Sequence, residues 1–300
     1  MKVTTRQSYR ERILRTLIFV QQHLDDRLEI QDLSRVACFS PYHFHRVFKG
    51  MVGESLMEHL RRLRLERAAM KLRQTSRPVT EMAFDAGYES LEAFSRAFRA
   101  MFGISPSRFR IMHRRNVATH SPSGVHYSPD SPTVEFRPIR GGSKMNVKIE
   151  TVKPMRVAFV RHVGPYDQCK PVWEKLCEWA GPRGHLGEGT RFIGLSHDDP
   201  EVTPPEKLRY DACIPVDADV RPEGDIGVQE IRGGEYAVTT HAGPYNKLIE
   251  TYAKLFGQGI PRLGREPASA PCLEVYLNDP ESTEPDELLT DIYALLEPKA

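Results

Sequence analysis

The stretch AFSRAFRAMFGIS (residues 93–105) repeats HFHRVFKGMVGES (residues 43–55) at an offset of 50 positions. The matched pairs are Phe44/Phe94, Arg46/Arg96, Phe48/Phe98, Gly53/Gly103 and Ser55/Ser105. Aromatic residues three to four positions apart predict a helix with one buried face, and basic residues occupy the opposite face of both copies. The chain therefore builds the same basic, amphipathic helix twice.

Start signals for short helices recur throughout residues 1–115. Ser and Thr accept hydrogen bonds from the free amides of a helix N-terminus, and Pro suits the first helical position. The signals are Ser40 with Pro41, a capping box at Ser55 and Glu58, Thr80, Ser90, and Ser105 with Pro106. A short helix, a tight turn and a capped basic helix describe a helix-turn-helix, and the capping box opens a long helix between the two copies. The sequence thus predicts an all-α domain with tandem helix-turn-helix units.

The outward faces of the two copied helices are candidates for DNA binding. Residues near the N-terminal end of such a helix reach base edges in the major groove, and an arginine there can contact guanine with two hydrogen bonds. We expect Arg46 and Arg96 to read bases, and Lys49 and Arg99 to hold phosphates. The candidate set is Ser40, Tyr42, His43, His45, Arg46, Lys49, Ser90, Leu91, Glu92, Ser95, Arg96 and Arg99. The alternative is a pair of helical hairpins with solvated basic faces.

The pattern from IQDLSRVACFSPYHFHRVFKGMVGES through RRLRLERA to VTEMAFDAGYESLEAFSRAFRAMFGISPSRFR resembles an AraC-family DNA-binding domain. The resemblance covers about a third of the chain. It implies that the long helix holds two recognition helices about one DNA turn apart, so that a monomer can read an asymmetric site. It also implies double-stranded promoter DNA and RNA polymerase as partners.

The net charge changes sign between the two halves of the chain. Residues 1–115 hold 22 Lys and Arg against 12 Asp and Glu, whereas residues 145–300 hold 17 against 26. This asymmetry is typical of a polyanion-binding domain attached to a domain with another task. Residues 116–144 are rich in Ser, Pro and Gly and are predicted to be a linker. The predicted organisation is therefore a DNA-binding domain at 1–115, a linker at 116–144 and a second domain at 145–300.

Cysteine usage and the lack of long apolar segments argue against several protein classes. Five scattered cysteines without a Cys-x-x-Cys argue against a disulfide framework or a zinc finger and fit a reducing cytosol. The charged N-terminus has no signal-peptide core, and no apolar run approaches the roughly 18 residues needed to span a membrane. The sequence contains no phosphate loop, dinucleotide motif or nucleophile elbow. We therefore expect a cytoplasmic protein with no cofactor, metal site or membrane partner.

A second internal repeat organises residues 145–300. HVGPYDQCKPVWEKL (162–176) matches HAGPYNKLIETYAKL (241–255) at an offset of 79, and DPEVTPPEKLRYD (199–211) matches DPESTEPDELLTD (279–291) at an offset of 80. One strand–helix–strand–strand unit has therefore been duplicated. Because each unit alone leaves one sheet face bare, we expect the two to pack as a pseudo-symmetric α+β pair.

The alignment of these repeats singles out Glu274. It sets Gly194 against Glu274 and Ser196 against Tyr276, so one half offers a carboxylate and a ring where the other offers space. A carboxylate among aromatic rings suits a cationic, aromatic or amphipathic ligand. The candidate ligand-binding residues are Glu274, Tyr276, Tyr166, Trp173 and Tyr245, with Tyr252 and Tyr293 as weaker candidates. The alternative is that Glu274 is a solvated residue on an ordinary amphipathic strand.

The duplicated Gly-Pro-Tyr segments and CLEVYLNDP (272–280) resemble a GyrI-like effector-binding domain, which is also attached to some MerR-family multidrug regulators. The resemblance places that family's pocket glutamate at Glu274, and the pair of domains resembles a Rob-type regulator. It implies a sequence-specific transcription regulator, not an enzyme, whose C-terminal domain binds a small effector. Two alternatives remain open: a protein-interaction module without a ligand, and a GyrI-like hydrolase that uses Glu274 to steer water.

Overall fold

The computed structural model describes residues 4–112, 119–129, 134–139 and 145–299. The chain separates into two compact units, each considered over its described residues. The helical unit contains residues 7–41 and 51–140, and the sheet unit contains residues 1–6, 42–50 and 141–300. Within the described ranges, none of the helices combines the length and the apolar character that crossing a bilayer requires.

The helices before residue 113 are α1 (Thr5–Gln22), α2 (Ile30–Ala37), α3 (Pro41–Val52), α4 (Leu56–Gln74), α5 (Val79–Asp85), α6 (Leu91–Phe102) and α7 (Pro106–Met112). The predicted start at Pro41 is confirmed. The predicted capping box is also confirmed, because the Ser55 hydroxyl accepts from the Glu58 amide and the Glu58 carboxylate accepts from the Ser55 amide. The predicted cap at Thr80 is wrong, since α5 begins one residue earlier, at Val79.

Both helix-turn-helix units turn through one left-handed residue. Cys38 (φ 53°) directly follows α2, and Gly87 (φ 80°) comes two residues after the end of α5. In each turn the next amide, that of Phe39 or Tyr88, donates to the carbonyl five positions back at 3.0 Å. The two units therefore share one turn geometry, which the second copy forms with glycine, a residue without a Cβ to clash.

The aromatic residues predicted to be buried, Phe94 and Phe98, form the core around α6 together with Phe102. Phe94, Phe98 and Phe102 are at most 6% exposed. The Phe98 ring centroid lies 4.4 Å from that of Phe102 and 5.3 Å from that of Phe109 on α7. Leucine and alanine residues of α4 complete the same cluster. The predicted apolar face of the second copied helix is confirmed.

The described part of the predicted linker packs within the helical unit. Val125 and Phe136 are only 1% and 3% exposed. The carboxylate of Glu66 on α4 accepts a hydrogen bond from the Tyr127 amide at 2.7 Å and another from the Thr119 hydroxyl. These contacts hold residues 119–127 against α4. Positions 116–118, 130–133 and 140–144 of the predicted linker lie outside the described residues.

The sheet unit contains an eight-stranded antiparallel sheet in the order β1-β6-β8-β7-β3-β4-β2-β5. Its strands are β1 (Lys148–Val152), β2 (Met155–Val163), β3 (Phe192–Ser196), β4 (Arg209–Pro215), β5 (Gly227–Ile231), β6 (Gly234–Ala242), β7 (Cys272–Tyr276) and β8 (Leu289–Leu295). Helix α8 (Lys170–Ala180) follows β2, and α9 (Leu248–Lys254) follows β6. Strands β2–β4 and β6–β8 with these helices confirm the predicted duplication of an α+β unit.

The outer strands are exchanged between the two repeats. Strand β1 precedes β2 but pairs with β6, whereas β5 precedes β6 but pairs with β2. The repeats meet at the centre of the sheet, where β3 pairs with β7 and Gly194 lies directly opposite Glu274. The two positions that the sequence repeat makes equivalent are therefore also cross-strand partners.

Candidate functional site

The carboxylate of Glu274 lies buried at the centre of the sheet, with 5% of the residue exposed. Its Oε1 accepts hydrogen bonds from Ser196 Oγ at 2.6 Å and from the Tyr252 hydroxyl at 2.7 Å. Its Oε2 accepts from the Tyr276 hydroxyl at 2.9 Å. All three of these donors are neutral hydroxyls, so they orient the carboxylate without supplying a compensating positive charge.

Aromatic rings surround this carboxylate. The Tyr276 hydroxyl lies 2.7 Å from that of Tyr210, and the Tyr276 ring centroid lies 5.8 Å from Trp173 and 5.5 Å from Tyr245. Burial, reinforced by the charge of Glu274, raises the pKa of Tyr210 and Tyr276 well above the usual value, and raises that of Tyr245 to about 12. These tyrosines therefore stay protonated near neutral pH and remain hydrogen-bond donors.

Gly194 creates the space in which the tyrosine hydroxyls meet. A Cβ at this position would lie 2.5 Å from the Tyr210 hydroxyl and 2.7 Å from the Tyr276 hydroxyl. Both distances are well inside van der Waals contact. This packing therefore requires a glycine at position 194, which agrees with the space that the sequence repeat predicts on this side.

We predict that Gly194→Ala destabilises the sheet unit by about 1–3 kcal/mol, because the added methyl group must displace a buried tyrosine. Chemical denaturation followed by tryptophan fluorescence measures this, since both tryptophans of the chain, Trp173 and Trp179, lie in the sheet unit. Gly181→Ala is the matched control, because its Cβ would approach no atom more closely than 4.0 Å. Equal stability of the two variants would contradict the prediction.

The segment Tyr42–Gly50 of α3 belongs to the sheet unit, not to the helical unit. Its contacts there include the Tyr42 hydroxyl donating to Ser196 O at 3.0 Å, His43 Nε2 donating to Ala268 O at 2.8 Å, and Arg46 Nη1 at 3.5 Å from Cys272 Sγ. His43, His45 and Arg46 are at most 4% exposed. The expectation of an outward-facing side chain is wrong for His43, His45 and Arg46, because rings, carbonyls and carboxylates of the sheet unit replace the water. Tyr42 and Lys49 are partly exposed. Ser40, which precedes α3, is partly exposed.

Two acidic side chains of the sheet unit, Asp199 and Glu201, contact the basic residues of α3. Lys49 Nζ lies 2.7 and 2.8 Å from the two carboxylate oxygens of Glu201, and His45 Nδ1 lies 3.2 Å from Asp199 Oδ2. Burial alone would raise the pKa of Asp199, but the hydrogen bond from His45 and the charge of Arg46 lower it. The ligand atoms of His45, Asp199 and Glu201 lie within 4.8 Å of one another, a spacing that could suit a metal ion. Lys49 and Arg46 already place positive charge on these carboxylates, so the cluster is an ion-pair network.

The second copied helix presents its candidate residues differently. Ser90 Oγ accepts a hydrogen bond from the Ala93 amide at 3.1 Å and caps α6, as predicted. The exposed candidates are Glu92, Arg96 and Arg99, and the partly exposed ones are Ser90, Leu91 and Ser95. The predicted outward face of α6 is therefore accessible, whereas His43, His45 and Arg46 on the corresponding face of α3 are buried. DNA contact by either set stays a prediction.

Family comparisons match both halves of the chain. Residues 145–297 match the family described as GyrI-like small molecule binding domain. The chain belongs to the GyrI-like family. The GyrI-like domain contains all eight strands, Glu274 and the surrounding rings. Residues 33–112 match a helix-turn-helix domain family, so the predicted pair of domain types is confirmed.

Individual relatives match one part of the chain or the other. SoxS of Salmonella typhimurium, a regulatory protein, is 37% identical over 101 residues, which are 33% of this chain and 94% of SoxS. Right origin-binding protein of Escherichia coli is 33% identical over 94 residues, which are 31% of this chain and 32% of that protein. The solved C-terminal domain of EcmrR matches 51% of this chain and 98% of that chain, with 20% identity and a TM-score of 0.42. The chain spans about a third of the length of two of its curated relatives, right origin-binding protein among them.

The structure brings Tyr276, Trp173 and Tyr245 together around Glu274. The Tyr166 ring lies 5.9 Å from that of Tyr210, and its hydroxyl donates to Asp198 O at 2.9 Å. Tyr252, a weaker candidate, donates directly to Glu274, whereas the Tyr293 hydroxyl donates to Glu150 instead. Tyr210 was missed. The repeat held the signal, because the offset of 80 sets Tyr210 against the smaller Thr290, the same size difference that Ser196 shows against Tyr276. Ser196 was expected only to leave space, but its hydroxyl also donates to Glu274.

Proposed function

We propose that this protein is a transcription regulator that binds promoter DNA through its helix-turn-helix domain and binds a lipophilic cation beside Glu274 in its GyrI-like domain. We further propose that the regulator works in the cytoplasm and acts on RNA polymerase. The single observation that carries the ligand assignment is a buried carboxylate that three hydroxyls orient and none neutralises. Aromatic faces around a carboxylate favour a cation through charge pairing and cation–π attraction.

We also propose that Glu274 binds rather than catalyses. Both of its carboxylate oxygens accept hydrogen bonds from tyrosine hydroxyls, at 2.7 and 2.9 Å. Burial raises the pKa of those tyrosines well above its usual value, and the charge of Glu274 raises it further. A carboxylate so engaged is better placed to hold a positive ligand than to activate a water molecule.

Isothermal titration of the intact chain with tetraphenylphosphonium tests the ligand assignment. Triphenylphosphine oxide, which is neutral and of similar shape, is the matched comparison. We expect the cation to bind at least about tenfold more tightly, a difference of about 1.4 kcal/mol. Equal affinity for both compounds would contradict a role for the Glu274 charge, and no binding of either would favour the protein-interaction alternative.

On the DNA side, we predict that Arg96→Ala weakens binding to a selected duplex by about 1–3 kcal/mol and changes binding to random duplex little. Arg96 is exposed on α6, so its removal should leave the fold intact. Fluorescence anisotropy with a duplex selected from a random library measures both affinities. Arg99→Ala, one turn further along, is the comparison and should weaken both duplexes. If Arg96→Ala loses the same affinity for the selected and the random duplex, Arg96 contacts phosphates and does not read bases.

A further inference from the structure

The GyrI-like domain holds the first copied helix by matched charge and by close backbone packing. Lys49 and Glu201 form an ion pair at 2.7 Å, with side chains 23% and 28% exposed. Gly50 approaches α9 so closely that a Cβ would lie 1.8 Å from Ala253 O. The Gln258 amide also donates to Gly50 O at 3.2 Å. Charged, polar and steric contacts therefore act on the same segment, Tyr42–Gly50.

The repeats show that this docking surface is specific to one half of the domain. Asp199 and Glu201 correspond to Asp279 and Glu281 at the offset of 80. In both loops the aspartate Oδ1 accepts from the backbone amide of the glutamate, at 3.0 and 2.9 Å. Asp199 is 3% exposed under α3, whereas Asp279 is exposed and Glu281 pairs with Lys170. The loop sequence thus recurs, but only its first copy contacts Tyr42–Gly50.

The docked helix and the Glu274 site share structural elements. The Arg46 guanidinium lies over the Tyr252 ring, 4.3 Å from its centroid, and the Tyr252 hydroxyl donates to Glu274. Ser196 also connects the docked helix with the Glu274 site, because its carbonyl accepts a hydrogen bond from Tyr42 and its hydroxyl donates one to Glu274. A cation that enters beside Glu274 therefore repels Arg46 and competes with it for the face of Tyr252.

We infer that Tyr42–Gly50 docked on the GyrI-like domain is the inactive state of the first recognition helix, and that binding of a cation beside Glu274 releases it for DNA. The inference rests on the proposed function, and it adds how the ligand controls the DNA-reading face. Side chains that are 2–4% exposed cannot reach base edges, so docking and reading exclude each other. Because the coupling is reciprocal, specific DNA should raise the affinity for the cation by the same factor.

Gly50→Ala tests the inference without changing any DNA-reading side chain. The methyl group cannot fit against Ala253 O, so the helix must leave its docked position. Alanine favours a helix more than glycine does, and the second copied helix carries Ala100 at the equivalent position. Gly187→Ala is the control, because a Cβ there would meet no atom within 4 Å.

We expect Gly50→Ala to bind its selected duplex at least about tenfold more tightly than wild type in the absence of ligand, which corresponds to about 1.4 kcal/mol. Tetraphenylphosphonium should then strengthen binding by wild type and add little to the variant. Cys272, 1% exposed beside Arg46, should be alkylated faster in Gly50→Ala than in Gly187→Ala. Faster alkylation with unchanged or weaker DNA binding would overturn the inference, and so would unchanged alkylation.

A pair of charge reversals provides an independent check. Glu201→Lys places like charges at the Lys49 contact, whereas Glu281→Lys makes the same change at the equivalent loop position of the other repeat. Only Glu201→Lys should strengthen specific DNA binding beyond the general effect of added positive charge. Equal effects would overturn the docking inference. If the cation binds wild type but neither Gly50→Ala nor Glu201→Lys strengthens DNA binding, the docking inference alone fails. If both variants strengthen it but no cation binds, the ligand assignment fails.

Discussion

Replacing Glu54 with glutamine is expected to lower the free energy of unfolding of the helical unit by about 3 kcal/mol. Glu54 accepts from Arg62 Nη2 at 2.6 Å and from His59 Nδ1 at 2.7 Å. The side chains of His59 and Arg62 are 0% and 8% exposed, so the change leaves a buried cation short of one carboxylate. Glu66, which lies 3.0 Å from Arg62, keeps the loss at the lower end of the range for a broken buried ion pair.

The two tryptophans make this loss measurable in the intact chain. Because Trp173 and Trp179 belong to the sheet unit, their fluorescence follows that unit, whereas far-UV circular dichroism is dominated by the helices. In urea, Glu54→Gln should move the circular dichroism transition more than the fluorescence transition. The control is Glu81→Gln, which breaks an exposed pair with Arg77 and should change the stability by less than about 1 kcal/mol. Similar losses in the two variants would show that Glu54 acts as an ordinary surface charge.

The buried contacts of Glu54 with Arg62 and His59 also predict that the stability of the helical unit falls at acid pH. Burial alone would raise the pKa of Glu54, but hydrogen bonds from His59 and Arg62 lower it to about 2. A depressed carboxyl pKa contributes stability that is complete above the unfolded value, near 4.5, and is lost as the pH falls toward 2. Between these pH values Glu54→Gln should lose less stability than wild type. Parallel pH profiles would contradict the assignment.

Replacing Glu274 with glutamine is expected to weaken binding of tetraphenylphosphonium by about 2–5 kcal/mol, or at least about 30-fold. The substitution removes the negative charge and keeps the shape of the side chain. The cation should therefore keep its contacts with the rings of Trp173, Tyr245 and Tyr276. Without ligand the variant should be as stable as wild type or more stable, because it removes a buried charge whose donors among the described residues are neutral hydroxyls. Calorimetry and thermal unfolding measure the two effects separately.

Glu281→Gln is the matched control for this change. Glu281 lies outside the aromatic cluster and pairs with Lys170, and both side chains are mostly exposed. It should bind the cation as wild type does. If Glu274→Gln still binds the cation as wild type does, the carboxylate is not part of the binding site. Binding would then depend on apolar contacts alone. A loss of stability together with a loss of binding would indicate a structural role instead.

Local patterns in the sequence predicted most of the architecture. Spacing of aromatic residues located the buried face of α6, and Ser55 with Glu58 located the start of α4, because both signals depend on neighbours within a few positions. The duplicated segments predicted two equivalent α+β units and the contrast between Gly194 in one unit and Glu274 in the other. Each of these features is encoded within one element or within one repeat.

Features that depend on distant parts of the chain were not predictable in this way. The basic faces of α3 and α6 look alike in sequence, yet only α3 finds Asp199, Glu201 and Tyr252, which lie more than 150 positions away. The strands β1 and β5 were missed because each pairs with the other repeat. Gly50, where the second copy has Ala100, is a difference in the sequence that matches the different packing of the first helix.

The exchange of β1 and β5 bears on how such a site can arise. Two identical copies of one repeat, each lending its first strand to the other, would close the same sheet as a symmetric homodimer. On its two-fold axis residue 194 would face its own copy, so the pair would be two glycines or two repelling carboxylates. Fusion of the copies into one chain removes that restriction, and Glu274 faces Gly194. One chain with two non-identical repeats can therefore place a single negative charge, with room beside it, at a position where a symmetric homodimer would carry none or two.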